Sequence, residues 1–367
     1  MSESTASTVP TRRRRAWLAL DERIGISGLA YPVPAHANGI GYILGGTSFF
    51  GFVILALTGI WLTQYYHPTP EAARGSIAYI TDIAPFGDIV RGVHFWVANV
   101  VMATVLLHMG RVFVTASYKR PREFNWLIGL GLLALTVGLV FTGTVLKWDQ
   151  EGFEALQHNI EAANLLGAFG FWFSPEFTTS LPILGRLYTA HIMILPALGT
   201  ILLIVHFLLV KRHGISRLPA VVDAEVQAGT QDRPHEDAVG STFTAHLVRM
   251  TGLGLLILAA AVVLSLLWAP AIGERVDPTI EITKPWWMFL AFYPLEDVFG
   301  LASLLWAPTL LFAALALVPF IDRSPWRSPR RRKGIIIAGA IVTMTLVALT
   351  VVALISPPAA HIMEAVE

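Results

Sequence analysis

Four histidines lie inside two long apolar stretches, and their spacing restricts the fold more than any other feature of the sequence. His94 and His108 are 14 residues apart, and His191 and His206 are 15 residues apart. On an α-helix, with about 100° and 1.5 Å per residue, such a step returns to nearly the same face roughly 21 Å further along. Two antiparallel helices would bring His94 level with His191, and His108 level with His206. Each level pair could supply both axial ligands of a low-spin haem iron, which predicts two stacked haems.

A single histidine in a membrane is more often a hydrogen-bonded structural residue than a ligand. Four histidines at matched spacing on two helices are poorly explained in that way. The other histidines have no such pairing and are predicted to be loop or interfacial residues: His36, His67, His158, His213, His235, His246 and His361.

The composition predicts an all-α polytopic membrane protein. Of the 367 residues, 54% are hydrophobic and only 14% are charged, and the apolar segments are long enough to span about 30 Å of hydrocarbon. The sequence has no cysteine, which excludes disulfides, covalent c-type haem and cysteine-ligated iron–sulfur clusters on this chain. The net charge of +1 gives no indication of nucleic-acid binding. Seven spans are predicted, at residues 41–66, 87–116, 126–146, 184–210, 244–269, 298–320 and 334–356.

Basic residues are unevenly distributed between the connections. By the positive-inside rule, the connections richer in arginine and lysine are cytoplasmic. This predicts a multi-pass membrane protein with its N-terminus inside and its C-terminus outside, and no cleaved signal peptide is expected. The cytoplasmic set is Arg12 to Arg15, Arg23, Lys119, Arg120, Arg122, Lys211, Arg212, Arg217, Arg323, Arg327, Arg330 to Arg332 and Lys333. The opposite set is Arg74, Lys147, Arg186, Arg275 and Lys284.

A polar segment between the fourth and fifth spans divides the chain. Residues 213–243 are mixed in charge and contain two prolines, which is typical of a linker. On the opposite side, the connections 147–183 and 270–297 are long enough to carry function. The expected units are a cytoplasmic N-terminal segment (1–40), a four-helix dihaem domain (41–217), a cytoplasmic linker (218–243) and a three-helix domain (244–367).

Four glycines repeat the period of the histidines. Gly45 and Gly59 are 14 residues apart in the first span, and Gly129 and Gly143 are 14 residues apart in the third. Glycine lets a neighbouring group approach the helix backbone, at a cost of about 1 kcal/mol in helix propensity. A macrocycle packed between helices needs such gaps, although small residues also serve ordinary helix packing in membranes. Together with the histidines, the glycines favour haem binding.

Several motifs resemble those of the cytochrome b subunit of quinol-oxidising bc and b–f complexes. Residues 33–218 are similar to the four-span chloroplast-type cytochrome b, and the last three spans resemble its separate subunit IV more loosely. KPWWMFL at 284–290 stands where that family has KPEWYFL. The motifs of the first part are YILGG at 42–46, RGVHFW at 91–96, HMGRVF at 108–113, KRPREFNW at 119–126, TG at 142–143, WDQ at 148–150 and HFLLVKRHGIS at 206–216.

The resemblance implies roles for particular residues. His94 with His191 would ligate an outer haem b, and His108 with His206 an inner haem b. Arg91 would pair with a haem propionate, because a guanidinium binds carboxylates through charge-assisted hydrogen bonds. Three further basic residues would lie near propionates or quinone on the cytoplasmic side, unless they serve only the orientation of the chain: Arg111, Lys211 and Arg212.

The quinol-site motif departs from the family pattern. Trp286 replaces its glutamate, and an indole cannot accept a quinol proton. Glu296 or Asp297 is the candidate substitute, although either could be a solvated charge at a loop end. Asp149 and Trp287 would belong to the two loops that enclose the quinol.

Two further departures concern haem binding. Ile43 stands where chloroplast-type relatives attach a third haem through a cysteine. A thioether bond is therefore impossible, and a third haem could bind only non-covalently. Phe95 stands where that branch has an arginine, which removes one expected propionate contact.

The leading interpretation is the dihaem cytochrome b subunit of a respiratory or photosynthetic quinol:cytochrome c oxidoreductase, active only within its complex. Quinol would give one electron to a Rieske-type iron–sulfur partner and the other, through both haems, to a quinone on the cytoplasmic side. A c-type cytochrome, membrane lipid and a homodimeric complex are also expected. A second hypothesis is a dihaem membrane anchor between the quinone pool and a non-Rieske extracytoplasmic partner. A third is a transporter or structural bundle with histidines as polar packing.

Overall fold

The structure is a computed structural model that describes residues 11–230 and 239–359. Seven helical segments within these residues are long and apolar enough to cross a membrane, which confirms the predicted all-α polytopic class. They are α2, α4, α5, α7 with α8, α10, α12 and α13. The helices are α1 (Arg12–Ile24), α2 (Ile40–Leu62), α3 (Ala73–Asp82), α4 (Gly87–Val114), α5 (Glu123–Leu146), α6 (Gln150–Leu165), α7 (Ile183–Thr189), α8 (Leu195–His213), α9 (Pro219–Ala228), α10 (Phe243–Leu267), α11 (Tyr293–Phe299), α12 (Ser303–Ile321) and α13 (Lys333–Ile355).

Local signals set the helix boundaries on the side of the long connections. Asp149 accepts a hydrogen bond from the amide of Gly152 at 3.0 Å and caps α6. Gly300 ends α11 with a φ of 72°. Glycine adopts a positive φ at little energetic cost because it has no Cβ. The hydropathy pattern predicts the sixth span from residue 298, but α12 begins at Ser303. The short α11 accounts for the difference.

The membrane helices pack in two layers. Helix α2 packs against α4 and α10, while α5 packs against α8 and α12. Within the first layer, Val93, Val97 and Val101 of α4 form a buried cluster with Ala261 of α10. The last three spans therefore contact the first four directly, and the space between the layers holds the candidate site.

A π-helical turn at Ala190–Ile194 interrupts the fourth span. The amide of Leu195 donates to the carbonyl of Ala190, five residues earlier. Pro196 has no N–H to bond the carbonyl four residues before it, which favours the wider turn. On an uninterrupted α-helix, a 15-residue step would rotate about 100° further than a 14-residue step. Because the π-turn takes up one residue, the 15-residue spacing in this span matches the 14-residue spacing in the regular helix α4.

The segment expected to be a plain linker contains ordered structure. Helix α9 lies within residues 218–243, and the strand β2 (Val239–Thr242) pairs antiparallel with β1 (Pro32–Pro34) near the N-terminus. Residues 231–238 lie outside the described part of the chain. The β1–β2 pair ties the N-terminal segment to the start of α10.

A buried ionic network joins two connections on the predicted cytoplasmic side. Asp322, after α12, lies 2.8 Å from the ammonium of Lys119 and 2.7 Å from the guanidinium of Arg332. The hydroxyl of Tyr118 donates to the same carboxylate at 2.6 Å. The α4–α5 connection is thereby fixed to the connection between α12 and α13.

Candidate redox-cofactor site

His94 and His191 face one another across the space between the two layers. Their ring centroids are 6.4 Å apart, with the ring planes inclined by 57°. With metal–imidazole bonds of about 2.0 Å, and about 1.1 Å from nitrogen to ring centre, two rings sharing one iron have centroids roughly 6 Å apart. The separation of this pair therefore fits axial coordination of a single iron.

Two threonine hydroxyls orient this histidine pair. Thr58 Oγ1 lies 2.9 Å from Nδ1 of His94, and Thr142 Oγ1 lies 2.9 Å from Nδ1 of His191. Each hydroxyl also lies 2.8 Å from the carbonyl four residues earlier in its helix. Since a hydroxyl has one hydrogen and donates it to that carbonyl, its oxygen accepts from Nδ1–H. This leaves Nε2 of each ring as the nitrogen available to a metal.

All four predicted ligands line one cavity of about 1460 Å³ between the layers. Typical small-molecule pockets measure about 300–1,000 Å³, so this cavity has room for more than one large cofactor. It extends from Lys147 and Trp286 at one end to Arg122 and Lys211 at the other. Within the described residues, no aspartate or glutamate lines it. His108 and His206 line the same cavity as the first pair, nearer its predicted cytoplasmic end.

The four periodic glycines face the four histidines one to one. The sequence pattern assigns these gaps to a macrocycle, and within the protein the nearest neighbour of each missing side chain is the imidazole of a predicted ligand. The absent Cβ leaves the space in which each ring stands. From an ideal Cβ to the imidazole Cε1 the distances are 3.0 Å (Gly45, His108), 3.5 Å (Gly59, His94), 3.7 Å (Gly129, His206) and 3.1 Å (Gly143, His191).

The four basic residues predicted to lie near propionates or quinone differ in whether they line the cavity. Arg91, Arg111 and Lys211 line the cavity, whereas Arg212 is exposed and does not. Arg91 donates to the carbonyl of Pro270 at 2.6 Å. The Arg111 guanidinium donates to a backbone carbonyl at 3.1 Å and stacks over the Tyr42 ring at 4.4 Å. Three of the four predicted basic residues thus reach the cavity, which Arg122 and Lys147 also line.

A buried acidic cluster lies outside the cavity wall, between α6 and α11. Nε2 of His158 is 3.3 Å from Glu281 Oε1 and 3.5 Å from Glu296 Oε1. Nδ1 of His158 lies 2.8 Å from the carbonyl of Glu154, so Nδ1–H donates there and Nε2 faces both carboxylates. Burial raises the pKa of Glu296 to about 7, with His158 opposing the shift and Glu281 adding to it. Such a carboxyl exchanges protons near neutral pH.

The other predicted quinol-site residues lie in different environments. Asp149 is buried, caps α6 and lies 3.3 Å from the ammonium of Lys147. The indole N–H of Trp287 donates to Asn99 Oδ1 at 2.9 Å, and Asn99 lines the cavity. Asp297 is exposed on α11. Of the two candidate proton acceptors, Glu296 and Asp297, Glu296 is the buried one, and its pKa is raised into the neutral range.

Two of the histidines predicted to be loop or interfacial residues lie on helices and make contacts close to the site. His158 is part of α6 and of the acidic cluster. His246 is buried in α10, lines the cavity and lies 3.2 Å from Asn38 Oδ1. His235 and His361 lie outside the described residues. The sequence gives no spacing signal that groups residues 158, 281 and 296 into one cluster. For Thr58 and Thr142 a signal exists, because a Thr-Gly pair occurs both at 58–59 and at 142–143.

A membrane bundle that aims two histidine pairs into one apolar cavity defines a membrane-embedded haem protein. Residues 99–288 match the family model described as "Cytochrome b(N-terminal)/b6/petB". Cytochrome b6 of Heliobacterium modesticaldum is 40% identical over 207 residues, which cover 54% of this chain and 97% of that protein. The chain belongs to the cytochrome b family.

Three further comparisons extend beyond the first four spans or concern named complexes. The "cytochrome bc complex cytochrome b subunit" of Chlorobaculum thiosulfatiphilum is 34% identical over 304 residues, covering 79% of this chain and 68% of that protein. The "menaquinol:cytochrome c reductase cytochrome b subunit" of Geobacillus thermodenitrificans is 36% identical over 217 residues, covering 54% and 95%. A solved structure titled "Hyperthermophilic respiratory Complex III" shares the fold, with a TM-score of 0.76 at 24% identity over 94% of this chain and 93% of that one.

Proposed function

We propose that this chain is the dihaem cytochrome b subunit of a bc-type quinol:cytochrome c oxidoreductase. The observation that carries the proposal is the facing pair of His94 and His191, whose separation fits one shared iron. Relatives that are named as subunits of bc complexes and of a menaquinol:cytochrome c reductase support the same assignment.

Two histidine pairs would hold two b haems. His94 and His191 would hold the outer haem, and His108 and His206 the inner one. When bound, the haems supply reversible one-electron transfer between the two sides of the membrane. The apolar cavity wall excludes water around them. Arg91, near the outer pair, and the inner cationic residues would neutralise propionates or orient quinone: Arg111, Lys211 and Arg212.

Glu296 would accept the proton released when quinol is oxidised at the outer side. Its carboxylate replaces the motif glutamate whose position Trp286 occupies. His158 lies between Glu296 and Glu281 and is 18% exposed at its side chain, so it would pass the proton toward solvent. Asp149 would hold the start of α6 in place through its cap, and Trp287 would fix the loop before α11 to Asn99.

The complex would need partners beyond this chain. A Rieske-type iron–sulfur protein would take the first electron, and a c-type cytochrome would follow it. We further propose that the protein resides in a bacterial cytoplasmic membrane with its N-terminus inside. The complex would be a homodimer with bound lipid, and the units 41–217 and 244–367 would form one subunit.

Any third haem would be bound non-covalently, because the sequence has no cysteine; Ile43 is buried in α2 and does not line the cavity.

The test is quinol oxidation by the purified native complex, with optical spectra of the b haems. We expect an added oxidant to drive reduction of two b haems, and an outer-site inhibitor to abolish it. Glu296→Gln should slow quinol oxidation about a hundredfold or more at pH 7, because general-base catalysis typically contributes 10²–10⁴-fold. The wild-type rate should rise from about pH 6 to 8 as the Glu296 carboxyl, with its pKa near 7, loses its proton.

The matched control is Asp297→Asn, which alters the exposed neighbouring carboxylate on the same helix. It should leave both the rate and the pH profile unchanged. An Asp297→Asn effect with a normal Glu296→Gln variant would transfer the proton-accepting role to Asp297. Haem reduction without any dependence on the oxidant would refute electron bifurcation.

One observation favours a second candidate function. No carboxylate lines the cavity within the described residues, and the family's quinol-site glutamate is replaced by Trp286. A dihaem membrane anchor between the quinone pool and a non-Rieske extracytoplasmic partner needs no such acid. Haems that reduce and reoxidise with no coupling to an iron–sulfur acceptor would support this alternative.

A further inference from the structure

The two histidine pairs differ in what stands behind their rings. A Thr-Gly pair occurs at 58–59 and at 142–143, each beside a histidine of the outer pair. Fourteen residues earlier on the same two helices, the positions beside the inner pair hold Leu44 and Ile128. At the position before each periodic glycine, the two helices therefore carry a hydroxyl beside the outer pair and an apolar side chain beside the inner pair.

The hydrogen bonds reflect this difference. Thr58 and Thr142 accept from Nδ1–H of the outer rings at 2.9 Å. In the described part of the chain, no side chain bonds the buried Nδ1 atoms of His108 and His206, although the backbone carbonyl of Asn125 faces the His206 ring. Neither threonine lines the cavity, so both act from behind the imidazoles and would not touch a haem.

We propose that Thr58 and Thr142 are positioning residues that lower the midpoint potential of the outer haem relative to the inner one. The inference rests on the haem ligation proposed above. A hydrogen bond accepted from Nδ1–H fixes the tautomer and makes the imidazole a more basic ligand. A more basic axial ligand stabilises oxidised iron, and hydrogen bonding around the ligands is one means by which proteins set haem potentials. The two hydroxyls thereby favour electron flow from the outer toward the inner side.

Redox titration of the two b haems in the native complex tests this proposal. Thr58→Val and Thr142→Val remove the acceptors while nearly preserving side-chain shape. The double variant should raise the potential of one haem and leave the other unchanged, shifting the electron distribution between them about tenfold, which is 59 mV for a one-electron couple. Thr58→Ser and Thr142→Ser keep the hydroxyl and should keep the wild-type potentials.

Thr47→Val is the matched control on α2. Thr47 is also buried, does not line the cavity and donates to the carbonyl of Ile43 at 3.0 Å, but no hydrogen bond joins it to a histidine in the described residues. Both potentials should be unchanged in this variant. An equal shift from Thr47→Val would mean that the effect is general loss of polarity, and would overturn the proposal.

A converse substitution, which adds a hydroxyl beside the inner pair, keeps the proposal testable if the valine variants lose the outer haem. Ile128→Thr places a hydroxyl beside the inner pair and should lower the potential of the other haem. Unchanged potentials in both the double valine variant and Ile128→Thr, with both haems retained, would overturn the positioning role. If the unsubstituted protein has no pair of b-type haems, the proposed function itself fails, which is a distinct result.

Discussion

At the scale of single residues, the four glycines are equally spaced in the sequence but face the histidines at unequal distances. The ideal Cβ positions at Gly45 and Gly143 lie 3.0 and 3.1 Å from the facing imidazole, whereas those at Gly59 and Gly129 lie 3.5 and 3.7 Å away. The first two distances require a ligand ring to move. The last two are ordinary van der Waals contacts. Each haem site therefore has one tight and one tolerant glycine.

Alanine substitution should separate the two kinds of glycine. Gly45→Ala should lower inner-haem occupancy and Gly143→Ala outer-haem occupancy, because the added methyl displaces a ligand ring. Gly59→Ala and Gly129→Ala should keep both haems and gain roughly 0.5–1 kcal/mol of stability from the lower backbone entropy of the unfolded chain. Haem content per protein, measured by pyridine haemochrome spectra, checks this. Equal losses in all four variants would contradict it.

Spacing alone could predict only some of the residues in the site. The ligand pattern repeats along single helices, so helix geometry is enough to place His94 level with His191. The cluster of His158, Glu281 and Glu296 joins three elements that are distant in sequence. Its members come together only through the packing of α6 and α11, which no local pattern encodes.

At the scale of the helix, the π-turn at Ala190–Ile194 makes the histidine spacings compatible. Its two flanking helices stay collinear enough to form one span, while the turn absorbs the extra residue. Hydropathy could predict the seven spans, because it depends on composition over about 20 residues. It could not predict this turn, since a one-residue insertion leaves the average hydropathy unchanged.

Deleting Met193 should convert the π-turn into regular α-helix and leave the ligands aligned. Met193 is 58% exposed, so its loss removes little packing, and the remaining 14-residue spacing suits an uninterrupted helix. We expect both b haems to be retained, as measured by the optical spectrum. The control is deletion of Ala103 from α4, which has no π-turn and should lose at least one haem. Haem loss from the Met193 deletion alone would contradict this role of the turn.

At the scale of the whole molecule, the ionic network around Asp322 holds the last two spans to the α4–α5 connection. The side chains of Asp322, Lys119 and Arg332 are 5%, 9% and 0% exposed. One carboxylate thus neutralises part of two buried positive charges. A buried ion pair adds little to the stability of a protein compared with well-packed apolar residues in its place. Removing only one partner, however, leaves a buried uncompensated charge, which is strongly destabilising. The network therefore fixes the last two spans against the α4–α5 connection.

Asp322→Asn should destabilise the protein by about 3–5 kcal/mol, because Lys119 and Arg332 would remain buried without their counter-charge. Thermal unfolding in detergent should show a clearly lower transition temperature, and proteolysis should reach the α12–α13 connection earlier. Glu225→Gln is the control: it breaks the more exposed Arg217–Glu225 pair, with side chains 25% and 14% exposed, and should cost at most about 1 kcal/mol. Equal transition temperatures of the two variants would show that the network does not hold the last two spans to the α4–α5 connection.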